Sequence, residues 1–379
     1  MQKLTLVATC LFGLEKLLGE EIEALGYKRT DTMDGRVTFE GDLAAVARCN
    51  IWLRFAERLY IKVGECRATT FTELFDGANA LPWEEWIGAE DEFPVTGHSV
   101  KSTLFSVPDC QKIIKKAVVQ RLSSVYGISW FKESGVKYRI EFFNFKDNVS
   151  FMIDTSGTPL HKRGYRPESV AAPLRETLAA AIAYISRPRE NVLLWDPFCG
   201  SGTIAIEAAM MMANRAPGMR RSFAAEAFPQ IVAQVWQDIR EEAEGAVRPT
   251  EFRANATDID INAVKLTRQN AARAGVAGMI TSYEMDARNI KNTLGVRGTI
   301  VTNPPYGERL MTPEQAASLY GEIGKAFAEL EPWQVYVLTS DEAFEKHYGK
   351  RADKIRKLYN GMIPCRLYQY FRSAHTLKK

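Results

Sequence analysis

Two segments in the C-terminal half of the sequence combine residue types that could do chemistry, and the first is Asp-Pro-Phe-Cys-Gly-Ser-Gly-Thr (196–203). It follows the apolar run 192–195, so the pattern predicts a strand, a tight glycine turn and a helix beginning at Thr203. Gly200 and Gly202 let the backbone approach a ligand that a Cβ would exclude. Ligands bind beyond the carboxyl ends of strands in open α/β sheets, so this turn is a candidate binding site. The alternative is an ordinary tight turn between a strand and a helix.

Three aspartates stand where predicted strands end: Asp196, Asp258 and Asp286. A carboxylate after the second strand can accept hydrogen bonds from both ribose hydroxyls of a nucleoside, and one after the third can accept from an adenine amine. Each aspartate alone more often caps a helix or lies in a solvated turn, but three in one sheet favour an adenosyl ligand. NAD is disfavoured because Ala205 replaces the third glycine of its fingerprint and no strand-terminal acid appears until Asp258.

The second segment is Thr-Asn-Pro-Pro-Tyr-Gly (302–307), which directly follows a predicted strand. Its prolines stiffen the turn and remove backbone donors, which leaves carbonyl oxygens and the side-chain oxygen of Asn303 as acceptors. Acceptors aimed at the hydrogens of an aryl amine can draw its nitrogen towards sp3 geometry and expose the lone pair. Tyr306 offers a face on which an extruded base can stack. The alternative is a Pro-Pro turn that only closes a strand.

The elements that must position these segments alternate between strand and helix in the C-terminal part of the chain. Helices are predicted at 173–185, 203–213, 261–274 and from residue 312, and strands at 192–196, 252–258, 280–285, 299–302 and 333–338, with a closing hairpin at 355–359 and 366–371. This alternation predicts a doubly wound α/β sheet that is mostly parallel and has an antiparallel last strand. A smaller α+β unit is predicted at the N-terminus, and a basic linker separates the two parts.

The composition is that of an ordinary folded protein, since 46% of the 379 residues are hydrophobic and 25% are charged. The length fits two or three domains. No apolar run approaches the roughly 18 to 20 residues that cross a bilayer. Six scattered cysteines without a Cys-x-x-Cys pair and four scattered histidines argue against a zinc centre or a disulfide framework. We therefore expect a cytoplasmic monomer without a bound metal or a membrane partner.

The net charge of +3 is unevenly distributed along the chain. Residues 1–99 carry 10 Lys+Arg and 17 Asp+Glu, residues 100–170 carry 12 and 6, and residues 346–379 carry ten and one. Basic zones on a nearly neutral protein indicate a polyanionic partner, although solvated lysine-rich faces would give the same pattern. The candidate contacts lie on a helix predicted at 109–126 and in the linker: Lys112, Lys115, Lys116, Lys162, Arg163 and Arg166.

The segment 196–203 together with Asn-Pro-Pro-Tyr (303–306) resembles the amino-directed branch of the class I S-adenosylmethionine-dependent methyltransferases. Three further segments narrow this resemblance: His-Lys-Arg-Gly-Tyr-Arg (161–166), Pro-Leu-Arg-Glu-Thr-Leu (173–178) and Asn-Arg-Ala-Pro-Gly (214–218). They are similar to the bacterial THUMP-containing RNA methyltransferases that modify guanine N2 of large-subunit ribosomal RNA. The likeness extends over nearly the whole chain. The longest members of that family add a second methyltransferase domain, whereas this sequence carries one.

The resemblance implies a domain order and a set of residue roles. A ferredoxin-like unit would occupy 1–66, a THUMP RNA-binding domain 67–160, a linker 161–172 and a Rossmann-like methyltransferase domain 173–379. The catalytic turn would consist of Asn303, Pro304 and Tyr306. The cofactor S-adenosylmethionine would be held by Asp196, Phe198, Gly200, Gly202, Asp258 and Asp286, with Arg175, Glu176 and Thr177 near its methionine end.

We therefore expect an enzyme that methylates an exocyclic base amine of RNA, with ribosomal RNA or a precursor particle as its partner. A DNA adenine-N6 methyltransferase is the nearest alternative because Asn-Pro-Pro-Tyr suits either amine, and the basic region 100–170 favours RNA. A non-catalytic RNA-binding or ribosome-assembly protein is a second alternative, against which the intact Asn303 turn argues. A metabolic dehydrogenase is a third.

Overall fold

The computed structural model describes residues 3–167, 174–293, 295–305 and 311–371. The chain forms two compact units. The first comprises residues 1–9, 19–160 and 222–242, and the second comprises residues 10–18, 161–221 and 243–379. Each unit contains one seven-stranded sheet.

The first unit has a largely antiparallel sheet. Its strands are β1 (Leu4–Thr9), β2 (Lys28–Met33), β3 (Arg36–Gly41), β4 (Arg58–Arg67), β5 (Val95–Val100), β6 (Ile140–Phe145) and β7 (Asn148–Asp154). They lie in the order β2-β3-β1-β4-β7-β6-β5, and only β5 and β6 pair in parallel. The helices are most of α1 (Glu15–Ala24), then α2 (Leu43–Trp52), α3 (Phe71–Asn79) and α4 (Val107–Tyr126).

The second unit has a doubly wound sheet. Its helices are α5 (Glu176–Ile185), α6 (Thr203–Met212), the end of α7 (Ala233–Gly245), α8 (Ile261–Ala274), α9 (Pro313–Ala328) and α10 (Phe344–Tyr348). Its strands are β8 (Leu193–Asp196), β9 (Ala254–Asp258), β10 (Ile280–Glu284), β11 (Gly298–Thr302), β12 (Gln334–Thr339), β13 (Lys354–Asn360) and β14 (Ile363–Tyr370). They lie in the order β10-β9-β8-β11-β12-β14-β13.

The pairing in this sheet confirms the expected fold. Strands β8 to β12 pair in parallel, and β14 pairs antiparallel to both β12 and β13. Its apolar side chains meet in a core that includes Trp195, Ile300, Tyr320 and Phe344. Since β8, β9 and β11 run in the same direction, the residues that follow them emerge at one edge of the sheet.

Several helix ends follow from local sequence. The carboxyl of Asp260 accepts from the backbone N–H of Asn262 at the start of α8, and Gly275 ends that helix in the left-handed conformation. Helix α9 begins with a capping box between Thr312 and Gln315. Helix α4 begins at Val107, two residues before the predicted start at 109, because a proline is accommodated in a first turn.

Two elements and one segment differ from the sequence-based expectation. Strand β2 and the short helix α10 were not predicted; β2 is almost entirely polar, and its pairing with β3 defines it. Residues 222–242, which follow α6 in sequence, pack with the first unit. There the ring of Phe228 stacks on Tyr138 with 4.3 Å between centroids, and Gln230 accepts a hydrogen bond from the Tyr138 hydroxyl at 3.1 Å.

Candidate active site

Asp196, the last residue of β8, lies at the centre of the carboxyl edge and is 1% exposed. Its Oδ1 accepts a hydrogen bond from Thr302 Oγ1 at 2.7 Å and another from the backbone N–H of Phe198 at 3.2 Å. Burial raises the pKa of Asp196 to about 7, and the nearby Asp258 carboxylate acts in the same direction. Asp196 therefore links the end of β8 to the end of β11, which precedes the second motif.

The glycine turn between β8 and α6 is fixed by residues of α8. Gly200 and Gly202 have φ values of +53° and +80°, and a Cβ on Gly202 would lie 2.6 Å from Thr267 Cγ2. Thr267 Oγ1 donates to the carbonyl of Gly200 at 2.9 Å, and Asn270 Nδ2 donates to that of Ser201 at 3.0 Å. No pattern in the sequence points to Thr267 or Asn270, because they occupy ordinary helical positions with no motif around them.

The two other predicted acids lie at the same edge with different partners. Asp258, which ends β9, accepts from the backbone N–H of Gly200 at 2.9 Å and from that of Asp260 at 3.0 Å. Asp286 follows β10 and accepts from Arg288, both from its backbone N–H and from its Nε at 2.9 Å. Hydrogen bonding from the Arg288 guanidinium lowers the pKa of Asp286. The structure thus brings Asp196 and Asp258 to the glycine turn and engages Asp286 in an ion pair.

The Asn303 turn directly follows β11. Asn303 Oδ1 is buried and has no hydrogen-bond partner among the described residues. Pro304 is buried, and the carbonyl of Pro305 accepts from the Tyr320 hydroxyl at 2.9 Å. Tyr320, on α9, is a positioning residue that the sequence did not reveal. Tyr306 lies outside the described residues.

The N-terminus of α5 carries three residues that the resemblance places near the cofactor: Arg175, Glu176 and Thr177. Glu176 and Thr177 are buried. Arg166 pairs with Glu176 at 2.9 Å and donates to Thr203 Oγ1 at 2.7 Å, so it joins the start of α5 to the start of α6. Its side chain is 8% exposed. The structure therefore corrects the expectation that Arg166 binds RNA, because its guanidinium is used inside the fold.

Arg163 also differs from the expectation. Its side chain is 1% exposed and lies 3.4 Å from Glu207 Oε1, which also accepts from the Tyr165 hydroxyl at 3.1 Å. A buried charge held in this way offers no surface to a phosphate, so the predicted RNA contact of Arg163 is wrong. Lys162, by contrast, is exposed. Its backbone carbonyl accepts a hydrogen bond from Arg221 Nη1 at 2.9 Å.

The three lysines of α4 have unequal surroundings. Lys115 Nζ lies 2.7 Å from Glu133 Oε1, donates to the Phe93 carbonyl at 3.1 Å and sits 3.5 Å from the centroid of the Phe93 ring. Lys112 is 78% exposed and lies 3.7 Å from Oδ1 of the exposed Asp109, and Lys116 is exposed as well. Of the three lysines, Lys112 and Lys116 are exposed to solvent, whereas Lys115 stabilises the first unit.

The residues at the carboxyl edge fit a nucleoside cofactor beside an amine substrate. The turn at 200–202 brings backbone atoms to the edge without side chains at two of its three positions, and Asp258 adds a carboxylate next to it. The buried Asn303 oxygen needs a donor to satisfy it, which an exocyclic amine would supply. Among the described residues no cluster of His, Cys, Asp or Glu could hold a metal ion.

Residues 163–369 match the protein family described as "RMKL-like, methyltransferase domain". The chain belongs to this methyltransferase family. It also matches the RlmL ferredoxin-like domain over residues 5–60 and the THUMP domain over residues 68–154. These matches confirm the expected family and fold class. None of the helices in the described ranges is long and apolar enough to cross a membrane.

Three relatives extend the comparison. The chain is 43% identical to the putative RNA methyltransferase YpsC of Bacillus subtilis (strain 168), covering 100% of this chain and 99% of that protein. It is 34% identical to the ribosomal RNA large subunit methyltransferase K/L of Psychromonas ingrahamii, with 94% of this chain matched. The chain spans 49% of the length of that relative. The structure of SMU.472, a putative methyltransferase complexed with SAH, is 39% identical, has a TM-score of 0.91 and matches 98% of this chain and 99% of its own.

Proposed function

We propose that this methyltransferase transfers a methyl group from S-adenosylmethionine to an exocyclic base amine of RNA, with guanine N2 of large-subunit ribosomal RNA as the target. The observation that carries the proposal is the buried Asn303 Oδ1 at the carboxyl edge of the second sheet, which has no hydrogen-bond partner among the described residues. The THUMP match and the names of the relatives support RNA as the substrate. The relative complexed with SAH supports the cofactor.

Binding the cofactor falls to the residues around the glycine turn. Asp258 would accept the ribose hydroxyls, because a carboxylate oxygen that already accepts one hydrogen bond retains a further lone pair. Gly200 and Gly202 would let the cofactor approach the backbone closely. Asp196, Phe198 and Asp286 would complete the cofactor site at the same edge of the sheet. The start of α5, with Arg175, Glu176 and Thr177, would face the methionine end. When bound, S-adenosylmethionine supplies a methyl group made electrophilic by its sulfonium.

The chain's own contribution to catalysis is orientation and polarisation of the amine. Asn303 Oδ1 and the Pro304 carbonyl would accept the two amine hydrogens and fix the nitrogen lone pair towards the methyl group. Tyr306 would stack on the extruded base. Tyr320 keeps the turn in place through its hydrogen bond to the Pro305 carbonyl. No covalent intermediate is required.

Asn303→Ala tests the proposal directly. The loss of one preorganised polar contact at the reacting centre lowers the rate by about a hundred- to a thousandfold. The variant should bind S-adenosylmethionine as the parent does and should melt no lower, because the substitution removes a buried amide oxygen to which no described residue donates. The measurement is single-turnover methyl transfer to large-subunit ribosomal RNA from cells that lack the protein, followed by nucleoside mass spectrometry.

Asn79→Ala is the matched control, since Asn79 Oδ1 is also buried without a partner among the described residues but lies in the first unit. Its rate should equal that of the parent protein. Parental methylation by a folded Asn303→Ala variant would remove the catalytic role of the turn. Methylation of adenine in DNA, with none in RNA, would replace the proposed substrate by the DNA alternative.

A further inference from the structure

The hairpin formed by β13 and β14 projects beyond the carboxyl edge that carries Asn303. In the antiparallel pairing of β12 with β14, the last residue of β12, Thr339, lies opposite Arg366. The parallel pairing of β11 with β12 places Thr302 opposite Val337. Residues 361–365 therefore extend past both strand ends, and Ile363 lies three residues beyond the end of β12, roughly 10 Å at about 3.3 Å per residue.

The tip of this hairpin is a tight turn that exposes a large apolar side chain. Asn360 pairs with Ile363, so the loop consists of Gly361 and Met362 alone. Gly361 has a φ of +66°, as expected at the first position of a two-residue hairpin loop. Met362 is 92% exposed and Ile363 is 49% exposed. The backbone thus holds Met362 out from the sheet in a defined place.

The tip also lies next to the start of α5. A Cβ on Gly361 would be 3.7 Å from Arg175 Nη2, and Arg175 directly precedes α5. The hairpin tip, the start of α5 and the Asn303 turn are therefore all at the edge of the second sheet where the reaction is proposed to occur.

The strand behind the tip is positively charged. Between residues 346 and 371 there are seven Lys+Arg and one Asp+Glu. Three of these basic residues lie on the edge strand β13 and make no ion pair within the part of the chain that the structure describes: Lys354, Arg356 and Lys357. An exposed methionine on a basic hairpin suits a nucleic acid, whose phosphates attract the lysines while its bases offer apolar faces.

We propose that Met362 is an RNA wedge, inserted into the base stack next to the target nucleotide. Lys354 and Arg356 on one face of β13 and Lys357 on the other would contact the flanking phosphates on either side of the hairpin. The proposal rests on the proposed function, because a base amine can reach Asn303 only after its nucleotide leaves the stack. Apolar side chains such as methionine fill the gap that unstacking creates in other nucleic acid complexes. The charge excess on β13 makes RNA the occupant of this surface.

The Met362→Ala variant tests whether Met362 acts in extruding the base from the stack or in the methyl transfer itself. Large-subunit ribosomal RNA from cells that lack the protein is supplied either folded in Mg²⁺ or hydrolysed to short fragments that cannot pair. The variant should methylate folded RNA about tenfold more slowly, because unstacking is costly there, and should methylate fragments at nearly the parental rate. Met362→Leu keeps an apolar wedge and should restore most of the rate on folded RNA.

Val296→Ala is the matched control, since Val296 is 39% exposed and precedes β11 at the opposite edge of the sheet. Equal rates for Met362→Ala and the parent on folded RNA would overturn the proposal, as would equal losses on both forms of RNA.

A photoreactive benzoylphenylalanine at position 362 should crosslink to a base of folded RNA, whereas one at 296 should not. Absence of the crosslink would overturn the wedge even if no RNA is methylated. A crosslink without methylation by the parent protein would leave the wedge standing and contradict the proposed function.

Discussion

At the scale of single residues, Asp196 shows how burial sets the charge of the site. Its carboxyl accepts hydrogen bonds from Thr302 and Phe198, yet burial raises its pKa to about 7. The charge beneath the glycine turn therefore changes near neutral pH. A group whose pKa is higher in the folded protein than in the unfolded chain lowers stability as pH rises through the interval between the two values.

We expect Asp196→Asn to change the pH dependence of unfolding. The asparagine can still accept from Thr302 and Phe198 but cannot ionise. Between pH 5 and pH 8 the free energy of unfolding of the parent should fall relative to the variant by about 2 to 3 kcal/mol, since each pKa unit corresponds to about 1.4 kcal/mol. Urea unfolding of both proteins without cofactor checks this. Parallel pH profiles would show that Asp196 ionises as freely in the folded protein as in the unfolded chain.

At the scale of elements, the glycine turn depends on its contact with α8. Gly202 has a φ of +80°, and its Cα faces Thr267 so closely that a Cβ would lie 2.6 Å from a methyl carbon. The turn is therefore packed directly against the middle of α8, and Thr267 also donates to the carbonyl of Gly200. This contact gives a reason for glycine at 202 that does not depend on a ligand.

Gly202→Ala should destabilise the protein by roughly 2 to 4 kcal/mol, through left-handed backbone strain and overpacking against Thr267 together. Calorimetry should also show weaker binding of S-adenosylmethionine. Gly245→Ala is the control, because Gly245 ends α7 with no atom within 4 Å of its virtual Cβ. Equal melting temperatures for the two variants would mean that the turn can shift away from α8 at little cost.

At the scale of the whole molecule, three of the six cations predicted to contact RNA serve the fold instead. Lys115, Arg163 and Arg166 are engaged in ion pairs of the fold. Lys112 and Lys116 on α4, in the first unit, and Lys162 together with Lys354, Arg356 and Lys357 of β13, in the second, remain as candidate contacts to a polyanion. Both units therefore carry a small basic surface that suits RNA.

The salt dependence of RNA binding should count these contacts. Replacing Lys112 and Lys116 with glutamine should make RNA binding less dependent on salt. The magnitude of the slope of log affinity against log salt should fall by roughly 1.4, at roughly 0.7 per contact to single strands. Replacing Lys354 and Lys357 should have a similar effect, and the four together should add if both units bind the same RNA. Lys115→Gln is the control: it should lower stability by roughly 1 kcal/mol and leave the slope unchanged. Slopes that do not add would show that the two surfaces do not engage one RNA together.

The sequence by itself determined the alternation of strands and helices in the second unit apart from α10, and it determined the glycine turn, the strand-terminal acids and the Asn303 turn. Each of these features is a local pattern. A short apolar run predicts a strand, and the glycine, proline, asparagine or aspartate residues after it predict the turn in which the strand ends. The parallel order of the strands then brings 196, 258 and 303 to one edge without further information. The family resemblance supplied the roles, which remain predictions to be tested at those positions.

Only the tertiary structure decided which ordinary residues serve the site. Thr267, Asn270 and Tyr320 fix the two turns, and Arg166 joins α5 to α6, but a hydroxyl, an amide or a guanidinium in a helix or linker has no partner until the chain has folded. Strand β2 formed against its polar composition because β3 offered it a ladder of backbone hydrogen bonds. Met362 became notable because the register of β12 with β14 places it beyond the carboxyl edge of the sheet. Burial and partnership arise from contacts distant in sequence, so composition and spacing cannot reveal them.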